Sequence, residues 1–409
     1  MNHPAFGLIG IFAILLIAFI ASNDKKAIRL RVVGVCFALQ IAIAIFVLYL
    51  PLGKSMLGAL SIKVTTLLSY AEAGIDMVFG GLANESLGFS FLVRVLPVVI
   101  FFAALMEVLY HLRIMQFIVR GGGRILRFIT GTKPVESLNV VANIFVGQTE
   151  APLSLKPYLS GVSKHELFTI MVSGLASISG TVMAGYIQLG IEPEYLIAAC
   201  FMSAPAGLLM AKIIMPDPLD ETIEERDIYS LGDERIHPNV IMAAAAGAQK
   251  GTQLAVNIGA MLLAFVSLIA LTNGILGWFG NIVGLESLSL QGILGAIFAP
   301  IMLMLNIPWA EAIQAGGIFG EKIVLNEFIA YLSLVDAKDA FSERTYVILT
   351  FALCGFANLG SIAILLGGLG AIIPDRMHDI AKMGIKAVFA ASLANLMSAA
   401  MAGILLGFV

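Results

Sequence analysis

Uncharged, mostly apolar stretches recur along this chain at about the length needed to cross the hydrocarbon layer of a bilayer. They occupy 5–23, 32–53, 167–191, 195–211, 251–285, 287–310, 345–374 and 387–409, and a spanning helix needs about 20 such residues. A further span, 89–110, is interrupted only by Arg94 and Glu107. The stretch 287–310 carries Gly and Pro and suits an interfacial or broken helix equally well. Charged residues make up 12% of the chain and hydrophobic ones 59%, whereas a soluble domain is about a quarter charged. No single soluble core could hide so much apolar surface. The chain reads as an all-α, multi-pass membrane protein.

The remaining bulk features exclude more than they suggest. A net charge of −3 without a basic stripe gives no nucleic-acid surface. Cys36, Cys200 and Cys354 lie in apolar runs without metal-ligand spacing and read as small core residues. His165 and Glu166 begin a zincin pattern, but Thr169 stands where its second histidine belongs. The glycines at 121–123 follow no strand, and the small residues of 243–251 suit close helix contact. The first apolar run has no Lys or Arg before it, while Lys25, Lys26, Arg29 and Arg31 follow it. That is the reverse of a secretory signal and marks a first membrane helix ending in the cytoplasm. Placing this cluster inside, with Arg113–Lys133 and Arg376–Lys386, leaves both termini outside. The hydrophilic stretch 215–238, with eight acids and two arginines, then falls on the cytoplasmic side as a solvated loop.

Two apolar regions are too short to span. The run 137–149 ends at Glu150 and is followed by a piece broken by Pro152, Lys156 and Pro157. The run 312–320 is followed by Glu321, Lys322, Asn326 and Glu327, and then by 328–335. Each pattern predicts two half-length helices meeting at a polar tip. Such a re-entrant hairpin is tolerated only where protein or a water-filled cavity surrounds the tip.

Each hairpin precedes a long span with a soft, small-residue middle, and 173–180 lines up with 354–361. Glu150 and Glu327 stand 27 and 31 residues before Ser177 and Asn358. The charge pattern makes the two units enter the bilayer from opposite sides. Inverted repeats with interrupted helices are a transporter architecture, with the binding site where the breaks meet. The chain therefore divides into 1–132, N-terminal membrane and interfacial helices; 133–214, a first transport repeat; 215–308, a cytoplasmic loop, a long scaffold helix and an interfacial helix; and 309–409, a second transport repeat.

A carboxylate at the bilayer centre costs about 2.5 kcal/mol or more, so Glu150, with Gln148 and Thr149 beside it, points either to a wet cavity or to an ordinary cytoplasmic loop. Glu327 has the same alternatives. Asn358 and Ser361 lie mid-way in an uncharged run, as ligand contacts or as helix–helix hydrogen bonds. Many donors and acceptors with two carboxylates suit a polyhydroxylated, uncharged solute, and Phe356 offers a flat face to a ring.

The segments Gly147–Glu150, Asn326–Phe328 and Gly355–Ser361, in that order, resemble the concentrative nucleoside transporter family, with likeness over nearly the whole chain. The resemblance implies a homotrimer in the inner membrane, each protomer with eight membrane helices, two opposed re-entrant hairpins and interfacial helices. It implies that Gln148, Thr149 and Glu150 contact the nucleobase with Val182, that Glu327, Asn358 and Ser361 hold ribose, and that Phe356 lies against the nucleoside. It maps a sodium site to Asn143, Val146, Ser177 and Ile178. The expected activity is sodium-driven nucleoside symport, uridine included, with a proton-coupled carrier of the same fold as the alternative and no cofactor beyond the ion. An intramembrane hydrolase would need a nucleophile–base pair or metal cluster at depth, and a channel a filter ring; the sequence offers neither.

Overall fold

The computed structural model describes residues 4–83, 90–153, 155–159, 161–218, 237–285 and 288–408. Most of the acidic stretch 215–238 and the first residue of the expected span 89–110 lie outside these. Among the described residues every regular element is helical. The N-terminal part comprises α1 (Pro4–Ile20), α2 (Leu30–Leu48), α3 (Pro51–Phe79), α4 (Phe91–Arg94), α5 (Leu96–His111) and α6 (Ile114–Thr130). Pro51 opens α3, where its missing N–H is no loss, and Gly131 ends α6 in the left-handed conformation, at φ 71°.

The first repeat follows. Helix α7 (Pro134–Asn143) turns back through 144–149 into α8 (Glu150–Leu153) and α9 (Lys156–Leu159), forming the first hairpin. Helix α10 (Lys164–Ala176) is separated by three residues from α11 (Gly180–Gln188), and α12 (Pro193–Ile214) completes the unit. Helix α13 (Val240–Val283) is 44 residues long, about 66 Å at 1.5 Å per residue, so it projects well beyond a bilayer. It packs closely on α5: a Cβ on Gly247 would lie 2.7 Å from Ala103 O and one on Gly251 2.8 Å from Ile100 Cα. The small-residue face thus serves helix contact. Helix α14 (Leu290–Met304) meets α15 (Trp309–Val324) at a bend of 117°, so the stretch 287–310 is not one straight span.

Helices α15 and α16 (Glu327–Asp336) form the second hairpin, and α17 (Glu343–Leu353), α18 (Gly360–Ile372) and α19 (Met377–Leu405) complete the second repeat. Its tip differs from the pattern expected. The helix continues through Glu321 and Lys322 to Val324, leaving Leu325 and Asn326 as the turn. Both charged side chains have partners, so they do not end the helix: the half-buried Gln291 donates through Nε2 to Glu321 Oε1 at 2.8 Å, and Lys322 Nζ donates to the buried Ala352 O at 2.8 Å. The register of the repeat shifts too. The first break spans 177–179 and the second 354–359. Gly180 therefore matches Gly360, one residue from the Ser361 with which the small-residue pattern paired it.

Eight spans result. Six are long and apolar enough by themselves, namely α2, α4 with α5, α10 with α11, α12, α13 and α19; the shorter α1 and the broken pair α17–α18 complete the set. Burial sorts them into layers. The apolar windows of α10–α11 and α12 are 94% buried and those of α2 and α13 17%, so the repeats form the interior and α2 and α13 the outer rim of the protomer. At the base of the first hairpin sits a buried ionic cluster. Lys212 Nζ bonds Glu136 Oε1 at 2.5 Å and Asp217 Oδ2 at 2.6 Å. Lys133 Nζ lies 3.6 Å from Glu166 and 3.7 Å from Asp217.

Candidate functional site

Both hairpin tips are stitched to the helix breaks by backbone bonds. In the first repeat Gly180 N donates to Phe145 O at 2.9 Å; in the second Leu359 N donates to Ile323 O at 3.1 Å. Phe356 N donates to Ser177 O at 3.3 Å, joining one break to the other. These unwound segments expose backbone groups that a continuous helix would have used, which is where polar ligands are received within a membrane.

Glu327 occupies the first position of α16, at the positive end of a helix capped by Asn326, whose Oδ1 accepts from Ile329 N at 3.0 Å. Its Oε2 accepts from Asn358 Nδ2 at 2.9 Å, and Asn358 Oδ1 accepts from Ser361 N at 2.8 Å. All three residues are buried, and Ser361 Oγ has no partner. Phe356 is half-buried just before Asn358. The structure thus brings Glu327, Asn358 and Ser361 into one connected group.

The first tip is more open. Glu150 Oε2 accepts from Gly147 N at 3.2 Å, folding the side chain back over the turn. Glu150 is exposed, whereas Gln148 is buried with Oε1 unpartnered. Thr149 abuts α18, where a Cβ on Gly368 would lie 2.4 Å from its Cγ2. The first tip therefore leans on the second broken helix.

Behind that tip the C-terminal ends of α7 and α10 converge. Ser177 Oγ donates to Asn143 O at 3.0 Å, and Asn143 Nδ2 donates to Asn139 O at 2.9 Å. Asn143 Oδ1 is buried without a partner; Val146 and Ile178 are buried alongside. Neutral oxygens at two negative helix ends match a hard monovalent cation. Among the described residues no group of three or more His, Cys, Asp or Glu is placed to hold a metal ion.

Tyr186 was not singled out from the sequence. Its OH donates to Glu327 Oε1 at 3.1 Å, and its ring packs on Phe328 and Tyr331 with centroids 4.6 and 4.5 Å away. The available signal was its place one turn after Val182 on α11, on the same face, with a phenol at membrane depth needing a partner.

The comparisons agree with this architecture. The model described as "Na+ dependent nucleoside transporter C-terminus" matches residues 195–403, its N-terminal counterpart 9–82, and one described as "Nucleoside recognition" 92–193. The chain belongs to the concentrative nucleoside transporter family. It is a membrane transporter and not an enzyme. The "Nucleoside permease NupC" of Helicobacter pylori is 45% identical over 98% of both chains. "Sodium/nucleoside cotransporter 1" of Mus musculus is 34% identical over 97% of this transporter, which spans 63% of that protein. The solved structure of CNTnw in an inward-facing substrate-bound state is 45% identical, with a TM-score of 0.94 over 99% of this chain and 98% of that one. An outward-facing variant of CNTnw also gives 0.94.

Proposed function

We propose that this transporter is a sodium–nucleoside symporter of the inner membrane, assembled as a homotrimer. Nucleobase would contact Gln148, Thr149, Glu150 and Val182; ribose would bind Glu327, Asn358 and Ser361, with Phe356 against the nucleoside. Sodium would sit among Asn143, Val146, Ser177 and Ile178. The observation that carries the reading is the orphaned Asn143 Oδ1 between two helix C-termini, five residues before Gln148. The outward residues of α13, among them Leu263, Leu271 and Trp278, are exposed in a single protomer and suit a subunit contact.

One sodium ion moving down about 100 mV supplies roughly 2.3 kcal/mol, and a tenfold gradient adds about 1.4 kcal/mol. Together they support accumulation of roughly several hundredfold. Uridine uptake into proteoliposomes is expected to follow an inward sodium gradient at fixed pH. Equal uptake in choline medium, with dependence on a pH gradient, would establish proton coupling instead.

Binding of the ion behind the first tip would fix Gln148 and Glu150 and raise the competent fraction. Asn143→Ala and Ser177→Ala should therefore raise the sodium concentration for half-maximal nucleoside binding, and nucleoside should tighten sodium by the same factor. Gln148→Ala should lower nucleoside affinity at every sodium concentration. Unchanged sodium midpoints in both alanine variants would remove the ion from these residues.

Tyr186→Phe keeps the ring contacts and deletes one neutral hydrogen bond to Glu327, worth about 0.5–1.5 kcal/mol. Nucleoside affinity should fall up to about tenfold, with little change in free-nucleobase binding. Equal losses for uridine and uracil would show that Tyr186 does not act through the ribose group.

A further inference from the structure

The second repeat contains a buried basic group that the proposed site leaves unused. Lys322, in the last turn of α15, is completely buried. Its Nζ donates to Ala352 O at 2.8 Å and to Asn395 Oδ1 at 2.7 Å, with the Phe319 ring centroid 5.8 Å away. Asn395, on α19, donates through Nδ2 to Ala176 O at 2.7 Å and to Cys354 O at 2.8 Å. One lysine and one asparagine thus serve the C-terminal ends of both broken helices. The fit is tight: a Cβ on Gly355 would lie 2.5 Å from Asn395 Oδ1 and 2.8 Å from Ala176 O.

The two repeats can be set side by side. In each, the C-terminal end of a hairpin helix meets the C-terminal end of a half-helix, so two negative dipole ends converge. The first repeat presents the unpartnered Asn143 Oδ1 there, and none of its four proposed ion-holding residues is basic. The second presents Lys322. Burying an ammonium is costly, and a neutral amide would cap Ala352 O at lower cost. Converging negative helix ends would offset that cost for a charged Lys322.

We propose that Lys322 is a tethered cation, occupying in the second repeat the place for which the first takes a mobile ion. This rests on the sodium reading above. The test titrates nucleoside binding against sodium in the purified full chain carrying Lys322→Ala, with ammonium, methylammonium or choline added. Loss of a charge-assisted bond should weaken binding about tenfold to a hundredfold at the sodium concentration that saturates the parent protein. Ammonium or methylammonium, but not choline, should restore it, and without them the sodium dependence should change from one site to two. Unaltered binding, or a loss that no small cation repairs, would overturn the proposal. If the variant is unstable, its melting temperature in the same salts decides: stabilisation by ammonium over choline supports a cation position, and none overturns it. Lys322→Gln separates charge from capping, because recovery of parental affinity by that neutral donor would make Lys322 a plain cap. Sodium-independent binding by the parent protein would defeat the coupling reading itself, whatever the variants do.

Discussion

Replacing Glu327 with Gln is expected to weaken nucleoside binding about tenfold to a hundredfold, the equivalent of the 1.5–3 kcal/mol carried by a hydrogen bond to a charged group. The carboxylate is held between Tyr186 OH at 3.1 Å and Asn358 Nδ2 at 2.9 Å, which leaves lone pairs free for hydroxyls. A glutamine can keep its carbonyl towards Asn358 and turn its NH2 towards the phenol oxygen, which can accept. Folding should therefore survive while the charged acceptor is lost. The effect should be specific to the sugar: uridine should lose affinity strongly, and uracil, expected to compete poorly from the outset, should change little. Competition binding with both compounds checks this. A fully active Glu327→Gln, or uracil matching uridine against the parent protein, would remove ribose from this group.

Much of the architecture was legible because membrane insertion imposes simple length and charge rules. The uncharged runs marked most spans, and the two short runs marked the hairpins, since a half-length segment with a polar end cannot span and is tolerated at depth only beside protein or water. The expected ribose set could be tied together only in the structure: Asn358 reaches Glu327 across 31 positions of sequence, a separation that periodicity does not encode. The exact turn has the same origin. Glu321 and Lys322 are charges in a half-length apolar segment, and only their partners, Gln291 on α14 and Asn395 on α19, place them inside the helix instead of at its end. The repeat was found from its small residues, but its register was shifted because the second break is longer. Tyr186 escaped because an aromatic residue on an apolar helix reads as packing until its hydroxyl is seen beside a carboxylate.

The largest stability effect is expected at the base of the first hairpin. Glu136 is completely buried on α7, and Lys212 from α12 supplies its ionic partner at 2.5 Å. Lys133 N also donates to Glu136 Oε2 at 3.1 Å, but a backbone amide cannot neutralise a carboxylate. Lys212→Met keeps the apolar stem and leaves that charge uncompensated, a change that costs about 3–5 kcal/mol when a buried pair is broken from one side. Asp217 would suffer with it. Burial opposes its ionisation, yet the adjacent Lys212 outweighs this and holds its carboxyl below the usual range. Such a group stabilises the fold above its ordinary pKa, and the contribution is lost as pH falls through the lowered value. In Lys212→Met this acid sensitivity should shrink together with the melting temperature. A second substitution separates broken pairing from poor packing: Glu136→Gln added to Lys212→Met removes the stranded charge and should recover most of the loss, because neutral replacement of both partners is often tolerated. Thermal unfolding of the single and double variants, purified in one detergent at one pH, makes the comparison. A single variant that melts with the parent, or a double variant no better than the single, would show that the pair does not hold the hairpin base to α12.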